Sequence, residues 1–369
     1  MSTSLPAKPR SLLRRYLVAG YGAFIVYASL SPFIGWQEQG LEFWAVLTSP
    51  LGLTYTAFDA LSNLLAYFPF GFLLALTLRT YFGSARSVQL AALLATSLSA
   101  AMEYLQMYLP VRTSSNADIL ANSIGAFAGA LLAVYIEQRA WFVRLTKWRI
   151  GLFRQGAGVD FGLALAMLWM FAQVNPSMPM LGNVFITEPA YRLLIALPQE
   201  PFSVWESVAV ALNLVMVGAM LLTLLRTRRH VVVGLALILS GVALAKFIAA
   251  ALLLKSWALL LWLNGEAMLG IVAGALMIAA IAWLPQSKLM WVTAFAAASY
   301  VVLANWVLDS GTPSAAMRLY HWHYGHLRNY NVLSHTVSLL AVITGVGSTQ
   351  MSTLIGAPLQ WSKVSPRMV

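Results

Sequence analysis

Glu103-Tyr-Leu-Gln106-Met-Tyr-Leu-Pro-Val-Arg112-Thr-Ser-Ser115-Asn-Ala-Asp118-Ile-Leu-Ala-Asn122-Ser-Ile-Gly125 joins two strongly apolar runs and sets acids, amides and an arginine between them. Ionisable groups inside a bilayer or at its rim are costly, so a cluster of them marks a functional site by default. The flanking runs decide the fold class. Apolar stretches long enough to span a bilayer occur near 16–34, 61–82, 88–109, 118–136, 159–175, 205–226, 231–254, 257–284 and 288–308, with a weaker one near 332–347. A span takes roughly 20 predominantly apolar residues. The expectation is an all-α, polytopic integral membrane bundle of about ten helices.

Composition agrees with that class. The chain is 60% hydrophobic and 9% charged, with mean hydropathy +0.75; soluble domains run near a quarter charged. The net charge of +11 does not point to nucleic acid, because the bases lie in short loops between apolar runs. Such bases act as topology signals and meet lipid headgroups. No cysteine is present, which excludes disulfides, thiol catalysis and cysteine metal sites. Arg14 and Arg15 precede the first apolar run, but no convincing cleavage site follows, so that run reads as an uncleaved first helix. Loops carrying Arg79 and Arg86, then Arg139 to Arg154, then Arg226 to Arg229, and finally Lys288 alternate with loops holding Glu38, Glu42, Glu188, Glu200 and Asp309. By the positive-inside rule both termini are expected in the cytoplasm, and Glu103 to Asp118 face outward.

An internal repeat is visible. Gly71 to Thr80 matches Gly218 to Thr227, and the same offset pairs Asp59 with Glu206; Gly125-xxx-Gly129 matches Gly270-xxx-Gly274. This predicts two four-helix units in parallel orientation. The expected division is 1–140, a first unit; 155–285, a degenerate second; and 286–369, a C-terminal segment. Near the positions of Glu103 and Gln106 the second unit has Lys246, Ile248 and Ala251, so the chemistry is expected in the first unit and a scaffold or binding wall in the second.

Helical spacing places Asp59 with Asn63, Glu103 with Gln106, and Asp118 with Asn122, Gly125 and Gly129 on shared faces. The glycines, with Gly71, let neighbouring helices approach closely. Pro69 is a place for a kink, and Asp118, after Ser114, Ser115 and Asn116, is a candidate N-cap. The amides taken singly read as interhelical glue. Three acids for one arginine leave excess negative charge, which suits proton handling or a cationic or hydroxyl-rich ligand. Glu103, Asp118 and Arg112 are therefore the candidate catalytic groups, and Asp59, Asn63, Gln106, Ser115 and Asn122 the candidate ligand-binding ones.

The set Asp59-xxx-Asn63, Pro69-x-Gly71, Glu103-xx-Gln106, Arg112 and Asp118-xxx-Asn122-xx-Gly125, with the opening Tyr27-Ala-Ser-Leu-Ser-Pro32-Phe33, resembles the VanZ-like family of bacterial membrane proteins over about residues 15–136. The remainder resembles the longer form of that family. The resemblance implies an accessory role in the cell envelope: the founding member accompanies glycopeptide resistance and lowers susceptibility to teicoplanin. It establishes no reaction for the family at large. Membrane lipids or lipid-linked envelope precursors are the partners it suggests.

Two further readings remain open, a membrane-embedded enzyme using Glu103 or Asp118 as base with Arg112 on a phosphate or carboxylate, and a transporter or flippase. His321, His323, His326 and His335 lie among Trp306, Tyr320, Trp322, Tyr324 and Tyr330, which reads as an interfacial aromatic belt rather than a metal site. Glu188 to Phe202 is expected on the membrane surface. Neither a metal nor a cofactor is expected, and no nucleotide-binding or hydrolase motif appears.

Overall fold

The computed structural model describes residues 12–31, 33–50, 57–110, 112–173, 178–182 and 202–308. Within them all regular structure is helical: α1 Leu13–Leu30, α2 Phe43–Thr48, α3 Ala57–Leu78, α4 Ser84–Gln106, α5 Asn116–Glu137, α6 Ala140–Leu152, α7 Ala157–Ala172, α8 Val204–Leu224, α9 Val231–Leu253, α10 Gly265–Ile281 and α11 Gln286–Trp306. Six of these, α3, α4, α5, α8, α9 and α11, are long and apolar enough to cross a membrane, and the chain is a multi-pass membrane protein. Helices α7 and α10 are apolar but have 16 and 17 residues. At about 1.5 Å per residue they fall a little short of a hydrocarbon core about 30 Å thick. The apolar run near 332–347, the histidine segment and Glu188 to Pro201 lie outside the described residues.

The helices alternate in direction, and the bonds at their ends show it. At one end, Arg14 at the start of α1 donates to Leu76 O near the end of α3 (2.6 Å) and, with Arg79, holds Glu137 at the end of α5 (2.9 and 3.2 Å). The start of α7 joins the same end, where Asp160 accepts from Leu12 N and Arg149. So do the ends of α8 and α10, through Arg226 N to Leu152 O and Arg228 to Ala282 O. Most of the basic side chains gather at this end. At the other end, Arg112 and Gln106 reach the last turn of α1, and Asn63 on α3 meets Asp118 on α5.

Two hydrophobic cores follow. One joins α1, α3, α4 and α5 around Tyr21, Phe70, Leu74, Ala91, Ala126 and Ala130; the larger joins α7 to α11 around Trp169, Leu214, Val217, Leu254 and Ile278. Helices α3 and α5 pack most closely, and glycine is the reason. A Cβ at Gly71 would strike the Ala126 backbone, at Gly125 the Leu64 carbonyl, and at Gly129 the Phe68 carbonyl. Backbones in this contact gain dispersion on both sides without side chains between them. Outward, α5 presents Leu120, Ile124, Phe127 and Leu131, the apolar face a lipid-exposed helix requires.

One expectation needs correction. Residues 139–154, read from the sequence as a charged loop, include helix α6, whose exposed stripe Trp141, Leu145 and Trp148 adjoins Arg144 and Lys147. The second unit has buried polar groups of its own, Glu206, Asn213 and Lys246.

Candidate functional site

The polar stretch between α4 and α5 folds back on α1. Helix α1 ends at Leu30, and its last carbonyls have no partner within the helix. Arg112 supplies one, donating through Nη2 to Ala28 O (2.9 Å) and Ser31 O (3.1 Å), and Gln106 Nε2 donates to Ser29 O (2.8 Å). The expected pairing of Arg112 with the acids is therefore only partly met: its Nη2 donates to carbonyls, while the Glu103 carboxylate acts on it through charge. Burial pulls the Arg112 guanidinium below its ordinary value, and the Glu103 charge works against that pull.

Glu103 is 4% exposed. Its carboxylate accepts Ser115 N–H (2.8 Å), and its backbone carbonyl accepts Ser114 Oγ (2.9 Å). An acid at the start of α5 is favoured by the orphan N–H groups and positive dipole end there. Ser115, not Asp118, is the N-cap of α5, accepting Ala117 N at 3.1 Å. Asp118 sits in the first turn instead, half-buried, and accepts from the Asn63 side-chain amide. Asp59 lies one turn before Asn63, in the first turn of α3, also half-buried. Asn122 points inward and donates to Ser99 Oγ (2.9 Å), leaving its own Oδ1 without a hydrogen-bond partner among the described residues.

The polar residues thus fall into two layers. An inner layer of Glu103, Gln106, Asn122 and Ser99 is buried and ties α1, α4 and α5 together. An outer layer of Asp59, Asn63, Asp118 and Arg112 is half-buried at the bundle end. Gly71, Gly125 and Gly129 lie deeper, on the α3–α5 contact. Sequence reasoning missed three contributors. Ser99 and the buried Tyr67 hydroxyl beside it were legible as polar positions within apolar runs. The third is a strap, residues 33–49, that lies against the connection between α4 and α5. Gln37 N donates to Tyr108 O (2.9 Å), Gln39 to Met107 O (2.7 Å), and Asn116 to Ser49 O (2.6 Å), while Phe43 meets Tyr104 edge-on. Nothing in its sequence signals where it docks.

A comparison with known families covers this part of the chain. Residues 14–137 match the VanZ/LLP1 family model. The N-terminal unit is a VanZ-like domain. It holds the whole polar rim, and the chain continues well beyond it. No curated protein and no solved structure matches the chain.

Chemically, this end of the bundle offers the Glu103 carboxylate acting on the Arg112 guanidinium, and Asp59, Asn63 and Asp118 half-buried on the same rim. Among the described residues no three His, Cys, Asp or Glu converge as a metal site. The half-exposed Asp118, Asp59 and Asn63 can accept from hydroxyls or ammonium groups, and Arg112 can meet a phosphate or carboxylate.

Proposed function

We propose that the rim of the VanZ-like domain binds headgroup-bearing or lipid-linked molecules at the outer leaflet of a bacterial inner membrane, in cell-envelope processes that include the founding member's glycopeptide (teicoplanin) resistance. One observation carries the reading: Asp118, Asn63, Asp59 and Arg112 gather half-buried at the bundle end opposite most of the bases. A bundle end dominated by bases is cytoplasmic by the positive-inside rule, which turns this rim outward. Ten spans with both termini inside complete that topology.

The parallel four-helix repeat belongs to the same proposal. Helices α8 and α10 pack through glycine as α3 and α5 do: Gly274 lies on the Ala211 carbonyl as Gly125 lies on that of Leu64. Leu64 and Ala211 stand at the offset that pairs Asp59 with Glu206. Gly274 rather than Gly270 then takes Gly125's place, one helical turn from the match made in sequence. Asn264 caps α10 as Ser115 caps α5.

A membrane-embedded enzyme with Glu103 as base fits less well, since that carboxylate is buried and bonded to Ser115 N. The transporter reading gains from the polar cluster within the second unit. The test is a phenotype: Asp118→Asn, Asp59→Asn and Arg112→Lys, each verified as inserted and folded, in a host whose teicoplanin susceptibility and lipid-linked precursor pool are measured. Loss of the phenotype in Asp118→Asn with normal protein levels supports a binding rim. Full phenotype in all three ends it.

A further inference from the structure

The second unit carries its charges unevenly. Residues 139–159, 207–265 and 267–308 contain no Asp or Glu. Glu206 and Glu266 stand in the first turns of α8 and α10, at the end of the bundle away from the bases. Asp160, the acid described at the basic end of this unit, is taken up by Arg149 (3.1 Å) and Leu12 N (2.8 Å). The other bases at that end face one another with no acid to offset them. A concentration of like charge repels itself unless an anion settles on it.

An antiparallel bridge gathers five of them. Phe153, just past α6, pairs with Leu225, just past α8. Arg154 N donates to Leu224 O and Arg226 N to Leu152 O, both at 2.9 Å. The residues that follow the bridged pair are thus two exposed arginines on adjacent backbone segments. Arg154 Nη1 donates to Gln286 Oε1 at the start of α11 (2.7 Å), two residues before the exposed Lys288. Arg228 Nη1 donates to Ala282 O at the end of α10 (2.7 Å), with Arg229 exposed beside it. Among the described residues no ion pair forms on any of these five bases. Next to them Trp283 is 87% exposed, and Trp291 and Phe295, one turn apart on α11, are 77% and 73% exposed. Exposed indoles beside a charged rim mark headgroup depth, and the apolar stripe beyond them meets hydrocarbon.

We propose that Arg154, Arg226, Arg228, Arg229 and Lys288 form a headgroup site for an anionic phospholipid of the leaflet at this end of the bundle. Guanidinium groups offer paired N–H donors to the two free oxygens of a phosphate diester. The acyl chains continue along Trp291 and Phe295. Those apolar side chains make the membrane the source of the anion, since a soluble phosphate would leave them unused. Bound there, the lipid ties by charge the connections that join α6 to α7, α8 to α9 and α10 to α11. A topology signal needs only the sign of these bases, whereas a site needs them where the bridge puts them. The site lies in the other unit and at the opposite end from the Asp59 to Asp118 rim, so it stands apart from whatever that rim binds.

Native mass spectrometry of the full-length protein counts the lipids it retains after equilibration in detergent with dioleoylphosphatidylglycerol or dioleoylphosphatidylcholine at equal mole fraction. The expected result is a several-fold preference for phosphatidylglycerol. Arg226→Gln/Arg229→Gln, at two exposed positions outside the core, should cut that preference several-fold. Arg15→Gln/Arg86→Gln removes the same charge from exposed positions at the basic end of the first unit and should leave the preference intact. Equal retention of the two lipids by the parent overturns the site. So does an equal loss of preference in both double variants, which would reduce it to an effect of net charge. Displacement of phosphatidylglycerol by an equal concentration of inorganic phosphate also overturns it, since that result describes a site for a soluble anion.

Discussion

Arg112 makes two hydrogen bonds to carbonyls that α1 cannot satisfy itself, so its first task is to close a helix end. A hydrogen bond to a charged group contributes about 1.5–3 kcal/mol, and Arg112→Ala removes the donor while leaving both carbonyls. We expect thermal unfolding in detergent to show a loss of about 2 kcal/mol for Arg112→Ala and a smaller one for Arg112→Lys. The Asn63–Asp118 bond couples α3 to α5. A double-mutant cycle with Asn63→Ala and Asp118→Ala should give about 0.6–1.7 kcal/mol of coupling, the range of interhelical bonds in membranes, and additive losses would show that the bond contributes nothing. The positions of these residues were legible in the sequence because each interrupts an apolar run. Their partners were not: the acceptors of Arg112 and Gln106 are backbone carbonyls of α1, and every residue carries one.

Among the elements, the α3–α5 contact is fixed by three glycines whose missing Cβ atoms leave room for a neighbouring backbone. Gly129→Ala puts a methyl on the Phe68 carbonyl, and overpacking of this kind costs about 1–3 kcal/mol. Gly151→Ala in α6 meets nothing, and replacing an exposed helix-interior glycine gains about 0.5–1 kcal/mol. Opposite shifts of the unfolding midpoint for these two variants are the expected outcome; equal shifts would refute the contact. The glycine spacing announced this packing in advance. Helix α6 was hidden because its bases outweigh its apolar stripe in any window wide enough to detect a span. The buried 178–182 segment was hidden because its burial depends on carbonyl acceptors for Lys246 and Asn213, which no local pattern encodes. Lys246 itself was visible as a charge inside an apolar run, but not its burial against this segment.

At the scale of the whole molecule, the alternation of helices places most of the bases at one end and the VanZ-like domain's outer polar layer at the other. Apolar periodicity and loop charge were enough to read the helical membrane class and this polarity. The strap at 33–49 and the exact helix ends depend on contacts between distant segments, and those emerge only when the helices are assembled. A rim facing away from the cytoplasm, as proposed, would meet outer-leaflet headgroups. Thr113 is exposed on that rim and Lys147 is exposed on α6 at the basic end. The direct measurement is labelling of Thr113→Cys and Lys147→Cys in intact cells with a membrane-impermeant maleimide. With the rim facing outward, Thr113→Cys reacts in intact cells and Lys147→Cys only after permeabilisation; the reverse pattern would contradict that orientation.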